Sequence, residues 1–371
     1  MKNLNKKRSE MENKSNQIEK VAAVKCINYK QSEVDRAVSN ALSLIDFKFK
    51  KNSSVLIKPN VVGAFPKKQI AVTTHPAVVE AVCKILKKHN CKIYIGDSPF
   101  TNEAPSFKAS GIDIVAKKYG KLLYLEQEKL INIKDKDAKV LKNFPLPKIL
   151  KQVDLVINMP KMKTHSLTKY TGAIKNLYGC IPGGLKQRLH NQAHGDEKFS
   201  SLLVDIYQNI QPQLTIMDAV VGMEGEGPTS GDPKKANLIL ASKNGIALDL
   251  AATKIMGYKP KKILTTKEAI KRKLYTGYNF ELVGLKQLPK LHFKTPSSII
   301  ISKTKQLLKV LFKEKPIVSD TTKCTKCKMC ANHCPVQAIS MTPFPIVDKN
   351  KCIRCFCCIE VCPQDAMHLE K

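Results

Sequence analysis

The chain has 371 residues, 43% of them hydrophobic, which is enough for one large core and a second small one. Its formal charge is +32, from 63 basic and 31 acidic residues. The basic set is 58 Lys and only 5 Arg, with no Trp and 6% aromatic residues; nucleic-acid readers use Arg forks and aromatic stacking, so the balance argues against a nucleic-acid partner.

Residues 1–20 read as a disordered basic tail, too polar for a secretory signal. A strand is predicted at 21–27, then a helix over 32–44 with Ser32 as N-cap. Strand 55–57 ends in Lys58-Pro59-Asn60. Thr74 is placed to cap a helix over 76–89 with Pro76 in its first turn, and His75 reads as loop polarity. Strand 92–95 runs into Gly96-Asp97-Ser98, followed by short helices over 103–108 and from 111. Short strands are expected at 122–125, 131–133 and 139–141. Strand 155–157 leads into Asn158-Met159-Pro160-Lys161-Met162-Lys163-Thr164-His165. A short helix over 171–178 stops at Gly179, and Pro182-Gly183-Gly184 reads as a loop. Helix 198–210 precedes strand 214–217, which is expected to end at Asp218 before a glycine-rich loop, 222–228. Strand 237–241 and helices over 245–256, 261–274 and 297–312 complete the upstream part. No stretch approaches the length needed to span a bilayer.

The tail carries the most specific pattern. Cys324-x2-Cys327-x2-Cys330-x3-Cys334-Pro335 repeats as Cys352-x2-Cys355-x2-Cys358-x3-Cys362-Pro363. Three closely spaced thiolates can wrap one iron–sulfur cube from a short loop, and the fourth, before proline, reaches the other cube. Two 4Fe-4S clusters are therefore expected, one on Cys324, Cys327, Cys330 and Cys362, the other on Cys352, Cys355, Cys358 and Cys334. Zinc sites and disulfides share the C-x2-C unit but give no reason for two identical runs closed by proline. Cys357 falls outside the spacing and reads as a small apolar residue of the cluster surroundings. Cys26, Cys83 and Cys91 read as core thiols, and Cys180 as a loop thiol rather than a nucleophile. Eight metal-committed thiols point to the reducing cytoplasm. The last 56 residues hold seven basic and five acidic residues, so +30 of the charge lies upstream.

Strands alternating with helices give an α/β domain with a largely parallel sheet, followed by a small C-terminal α+β two-cluster ferredoxin-like domain. The expected division is 1–20 tail, 21–290 α/β domain, 291–315 basic helical linker and 316–371 two-cluster domain. In a parallel sheet the C-terminal strand ends share one edge, where ligands bind. The polar stretches 58–60, 97–98, 158–165 and 218–226 should thus converge on one cleft. Lys161, Lys163, His165, Lys175 and Asn176, joined by Lys58, Asn60 and Arg188, suit a phosphate or carboxylate. Asp97, Asp218, Glu224 and Glu226 are acidic counterparts for a divalent ion or for acid–base work. His190 and His194 would face together only on a helix, which the nearby glycines disfavour. Taken singly, each of these residues also has a bland reading as solvated surface or a turn cap.

Lys161-Met-Lys-Thr-His165, the run Thr171-Gly-Ala-Ile-Lys-Asn-Leu-Tyr-Gly179, Leu56-Ile-Lys-Pro-Asn60, the Gly96-Asp97-Ser98 turn and Asp218 with its glycine-rich loop resemble the domain-of-unknown-function 362 family of iron–sulfur-centre proteins. The resemblance covers 21–257 and the cysteine region. It implies an α/β domain fused to electron-transfer centres and names no substrate. The expected function is an oxidoreductase passing electrons from two 4Fe-4S clusters to a small anionic substrate or cofactor in the α/β cleft. The alternatives are an electron carrier or assembly protein whose α/β part binds a redox partner protein, and a non-redox enzyme with structural clusters.

Overall fold

The computed structural model describes residues 18–65, 69–299 and 317–370. Twelve strands build the body: β1 (Lys20–Lys25), β2 (Ser54–Pro59), β3 (Lys92–Asp97), β4 (Lys121–Tyr124), β5 (Leu130–Lys134), β6 (Asn143–Pro147), β7 (Leu155–Met159), β8 (Lys161–His165), β9 (Lys169–Thr171), β10 (Leu214–Glu224), β11 (Asp232–Ser242) and β12 (Glu281–Val283). Ten of them form one sheet in the order β12-β1-β11-β10-β7-β2-β3-β4, with β8 on β10 and β9 on β8. The run β10-β7-β2-β3-β4 is parallel throughout, whereas β11 pairs antiparallel with both β10 and β1.

The central strands are apolar on both faces because helices cover both. On β2, Val55 and Ile57 join the core under the helices Gln31–Leu44 and Pro76–Lys88, while Leu56 joins the opposite core under Asp196–Ile210 and Gly245–Ile255. β7 repeats the alternation, with Ile157 and Met159 on one side and Val156 on the other. Each such buried side chain contributes about 1.5–3 kcal/mol relative to exposure. The parallel register brings the C-terminal ends of β10, β7, β2 and β3 to one edge, as strand alternation predicts.

Several local expectations need correction. β10 does not end at Asp218. It continues, buried at every residue, to Glu224, because Ala219, Val220, Val221 and Met223 pack in the body's cores. Gly222 lies within this strand, where a side chain would collide with the Met162 carbonyl and the Phe293 ring, so it serves a close approach and not a turn. The helix Pro76–Lys88 is capped by His75, whose Nδ1 accepts from Ala77 N; Thr74 instead donates to the Met159 carbonyl. Ser32 is not an N-cap, since its helix starts one residue earlier after Lys30. Residues 183–192 form a helix despite their leading glycines. Residues 139–141 are not a strand; β5 pairs with β6 instead. The expected linker begins against the body, with Leu291 N and Phe293 N donating to Ile255 O and Met256 O. Its remainder, 300–315, lies outside the described residues, as do 1–17 and most of the helix expected over 297–312.

The C-terminal unit is a tandem repeat offset by 28 residues. β13 (Ile317–Ser319) recurs as β15 (Pro345–Val347), the helix Met329–Asn332 as Cys357–Glu360, and β14 (Ile339–Met341) as β16 (Met367–Leu369). The halves interlock: β13 pairs with β16 and β14 with β15, both antiparallel.

Candidate functional site

Two cysteine-lined cavities occupy the C-terminal unit. Cys324, Cys327, Cys330 and Cys362 line one, and Cys334, Cys352, Cys355 and Cys358 line the other. Each cavity thus has three cysteines of one run and the last cysteine of the other on its lining. Among the described residues no group of three or more His, Cys, Asp or Glu closes on a single metal ion. The loops are shaped to match. Lys326, Lys328 and Gln337 take left-handed backbone conformations, and so do Arg354, Phe356 and Asp365, each 28 residues on. Such conformations turn successive N–H groups inward to face anionic clusters. Ala338 N and Ala366 N donate to the Cys334 and Cys362 sulfurs at 3.2 Å, and Lys326 N to the Cys324 sulfur at 3.4 Å. Two groups of four thiolate donors and the inward N–H groups fit 4Fe-4S clusters.

In the body, the edge where the parallel strands end gathers Lys58, Asp97, Asn158, Lys161, Lys163, His165, Lys175 and Asn176. Their placement depends on precise backbone approaches. The helix Ala173–Asn176 is anchored by Asp249, which accepts from Ala173 N at 2.6 Å, Ile174 N at 3.1 Å and the Tyr170 hydroxyl at 2.8 Å. Burial raises the Asp249 carboxyl to about 6 against those three donors. A side chain on Gly172 would collide with Tyr170 and Asp249, and one on Gly179 with Asp97 and Lys58. The Thr-Gly-x-x-Lys-Asn-x-x-Gly spacing is therefore steric as well as chemical.

Part of this set is closed on itself. Lys58 Nζ lies 2.8 Å from Asp97 Oδ1, with both side chains 1% exposed. Val61 N and Ser98 N complete the shell of Asp97. Asn176 donates to Asn158 Oδ1 and accepts from Lys58 Nζ. Lys161 Nζ lies 2.7 Å from Asp218 Oδ2, and Tyr29, His75 N and Val220 N supply the other donors to that carboxylate. Asp97 and Asp218 are thus saturated ion-pair partners and not open acid–base groups. Glu224 and Glu226 are likewise engaged, accepting from Lys294 N and Ser297 N. Arg188 is exposed and does not join the set, whereas Asn60 is buried at the end of β2. The sequence reading missed Lys186, which is buried and donates to Ser98 O, Ser98 Oγ and Pro99 O; burial lowers its ammonium to about 8. Cys180 is buried with its thiol pushed up to about 12 by burial, which makes it inert.

The open part faces the C-terminal unit. His165 Nε2 lies 3.1 Å from Glu360 Oε1, yet off the line of a ring N–H, so both atoms remain without an aligned hydrogen bond. His165 Nδ1 accepts from Leu167 N and Thr168 N, which leaves the ring proton on Nε2. Burial, reinforced by Lys175, lowers the imidazole to about 4, so the ring is neutral. Burial opposes ionisation of Glu360, but His165, Lys175 and His190 hold its carboxyl down to about 2. Burial lowers the Lys175 ammonium, and Glu360 opposes that shift. Lys175 is half-buried, 5.9 Å over the Tyr178 ring, and has no hydrogen bond among the described residues. Lys163 is fully buried and donates only to the Val72 carbonyl; burial, then Lys175 and Lys161, lower its ammonium well below the usual range.

His190, also missed as a site residue, completes the open part. It is 2% exposed, stacked on Phe199 at 4.3 Å with Tyr178 on its edge, and neither ring nitrogen has a partner among the described residues. Burial lowers it to about 3, with Glu360, Lys175 and His165 close enough to act on it. His194 is apart, its Nε2 2.9 Å from the Ile353 carbonyl of the C-terminal unit, so the two histidines form no pair. Cys357 is fully buried and turned toward Lys175 and Tyr178.

Comparisons with known proteins agree with this division. A family described as "Domain of unknown function (DUF362)" matches residues 55–254, and a 4Fe-4S dicluster domain matches 323–366. The chain is 33% identical over 228 residues to a protein named Thylakoid-associated protein sll1697 from Synechocystis sp., covering 58% of this chain and 67% of that one. The lactate racemase apoprotein from Thermoanaerobacterium thermosaccharolyticum aligns at a TM-score of 0.41 and 14% identity, over 63% of this chain and 56% of that one. At that level the second likeness carries no argument. Among the described residues no helix is long and apolar enough to cross a membrane.

Proposed function

The chain belongs to the domain-of-unknown-function 362 family and is an iron–sulfur protein; from that premise we propose that it is an oxidoreductase acting on a small oxyanion-bearing substrate held between the body and the two-cluster unit. The observation that carries this reading is the contact of His165 with Glu360 beside the loop of Cys352, Cys355 and Cys358, where His165 Nε2, Glu360 Oε1 and both ring nitrogens of nearby His190 lack an aligned hydrogen bond among the described residues. Buried polar atoms are rarely left without partners unless a ligand, ion or water completes them.

In this reading Cys324, Cys327, Cys330 and Cys362 hold one 4Fe-4S cluster and Cys334, Cys352, Cys355 and Cys358 the other, and bound clusters supply one-electron chemistry. The rest falls to the chain's own side chains. Lys163 and Lys175 are buried or half-buried cations without a carboxylate at ion-pair distance among the described residues, and an oxyanion compensates such charges. The His165 Nε2 proton and the His190 ring offer hydrogen bonds. Tyr178 and Phe199 form an apolar wall, and the docked C-terminal unit excludes water. Lys175 is the member that reaches solvent, so it marks the entrance. None of the thirteen cysteines is joined in a disulfide, which suits a reducing, cytoplasmic setting.

The test is calorimetric binding of inorganic phosphate and of acetate to the anaerobic, iron-loaded protein. Lys175→Met and His190→Phe should each weaken the bound anion at least about tenfold, or 1.4 kcal/mol, with iron content unchanged. Failure of both anions to bind in either redox state would sink the reading. The tightness of the junction favours a second reading, an electron carrier or assembly protein whose body binds a partner; intact redox activity with no anion binding is the result it expects.

A further inference from the structure

The two cavities are not equivalent in their surroundings. The polar contacts across the junction fall beside the second one. Ile353, between Cys352 and Cys355, receives His194; Glu360, just past Cys358, meets His165; and His333, before Cys334, reaches the Phe100 carbonyl at 3.1 Å and packs on its ring. Among the described residues no polar contact to the body comes from 320–330, the loop of the first cavity. That loop is open at one corner: Cys327 is exposed, whereas Cys334, Cys352 and Cys355 of the second cavity are half-buried and Cys358 is buried. Its rim carries Lys323, Lys326 and Lys328, all exposed, and no acidic residue lines the first cavity. Among the described residues Lys323 pairs with Asp320 at 3.1 Å and Lys326 lies 4.7 Å over the Phe344 ring, while neither Lys326 nor Lys328 has a carboxylate at ion-pair distance.

We infer that the face around Cys327, rimmed by Lys326 and Lys328, is the docking surface for an acidic one-electron carrier protein. The inference rests on the two-cluster reading. One electron leaves the carrier, which is oxidised by one, and enters the protein on the Cys327 side. It passes inward to the side sealed against His165 and Glu360. No bond forms or breaks and no proton is required. An exposed Cys327 would bring a cluster held there close to the outside, and a positive rim on a strongly basic molecule steers an acidic partner to it.

The experiment is stopped-flow reduction of the anaerobic iron-loaded protein by a reduced flavodoxin, an acidic one-electron flavoprotein, at low and high salt. Both Lys326 and Lys328 have left-handed backbone conformations, so the charge is removed with Lys326→Asn and Lys328→Asn, Asn being tolerated there. The paired variant should slow the second-order rate about tenfold at low salt. The gap should close toward 1 M salt, where screening shortens to about 3 Å. Charge removal at Lys117 and Lys286 on the body should leave the rate within twofold. Equal slowing by both pairs, or none by the first, overturns the docking face. A count well short of about eight irons in the unaltered protein instead overturns the two-cluster reading on which it rests.

Discussion

Two groups of buried lysines lie within one sheet edge and behave differently. Lys58 and Lys161 each face a carboxylate at 2.7–2.8 Å that backbone N–H groups also fill. Lys163 and Lys175 face the C-terminal unit with no carboxylate at ion-pair distance among the described residues, beside two neutral imidazoles and one lone carboxylate. The first arrangement is complete within the body. The second becomes complete only when something else arrives, whether the docked unit, its clusters or a bound anion. Burial of charge alone therefore does not mark a site here; incomplete compensation does.

The sharpest way to break this contrast is to open the closed side. Asp218→Ala strands the Lys161 ammonium in the body, and unfolding in urea should show a loss of about 3–5 kcal/mol. A loss below 1 kcal/mol would mean that Lys161 is not held as a charge. A smaller effect separates the sides by pH. His165 and His190 are lowered to about 4 and about 3 from a usual 6.5. Above pH 6.5 both are neutral whether folded or unfolded, and their stabilising share is whole. As pH falls below 6.5 the unfolded chain takes up protons that the folded chain refuses, so stability drops, each ring contributing on the order of 1 kcal/mol per pH unit. Urea midpoints at pH 7.0 and 5.5 should reveal this slope, and His190→Phe should remove its share. The smallest expected effect is that same substitution at pH 7. It replaces two unpartnered ring nitrogens by carbon among Phe199, Tyr178 and Phe100, so stability should change by less than about 1 kcal/mol or rise. A large loss would show that His190 is a structural member of the core.

The C-terminal repeat was legible because iron–sulfur ligation demands fixed spacings, and the 28-residue offset carries over to strands and left-handed residues that the cysteines alone do not announce. The parallel edge was legible for the same kind of reason: apolar strands run into polar residues at Lys58, Asp97 and Asn158. What escaped were properties of distant contacts. Asp97 and Asp218 looked available because the N–H groups that fill them come from Val61 and His75. Glu360 stands between Cys358 and Cys362 with no local mark, and only docking brings it to His165. His190 was hidden in a helix opened by Gly183 and Gly184, whose weak propensity is overridden by packing on Phe199. Lys186 carries no local mark among 58 lysines.

The crossed pairing of β13 with β16 and of β14 with β15 has a consequence for how such a tail can be cut or borrowed. Neither 28-residue half owns a sheet, and each cavity draws its fourth sulfur from the other half. A fragment ending between the halves would keep three corners of one cage and an unpaired strand edge. The tail is transplantable only whole, and damage at one cage should be felt at the other through shared backbone.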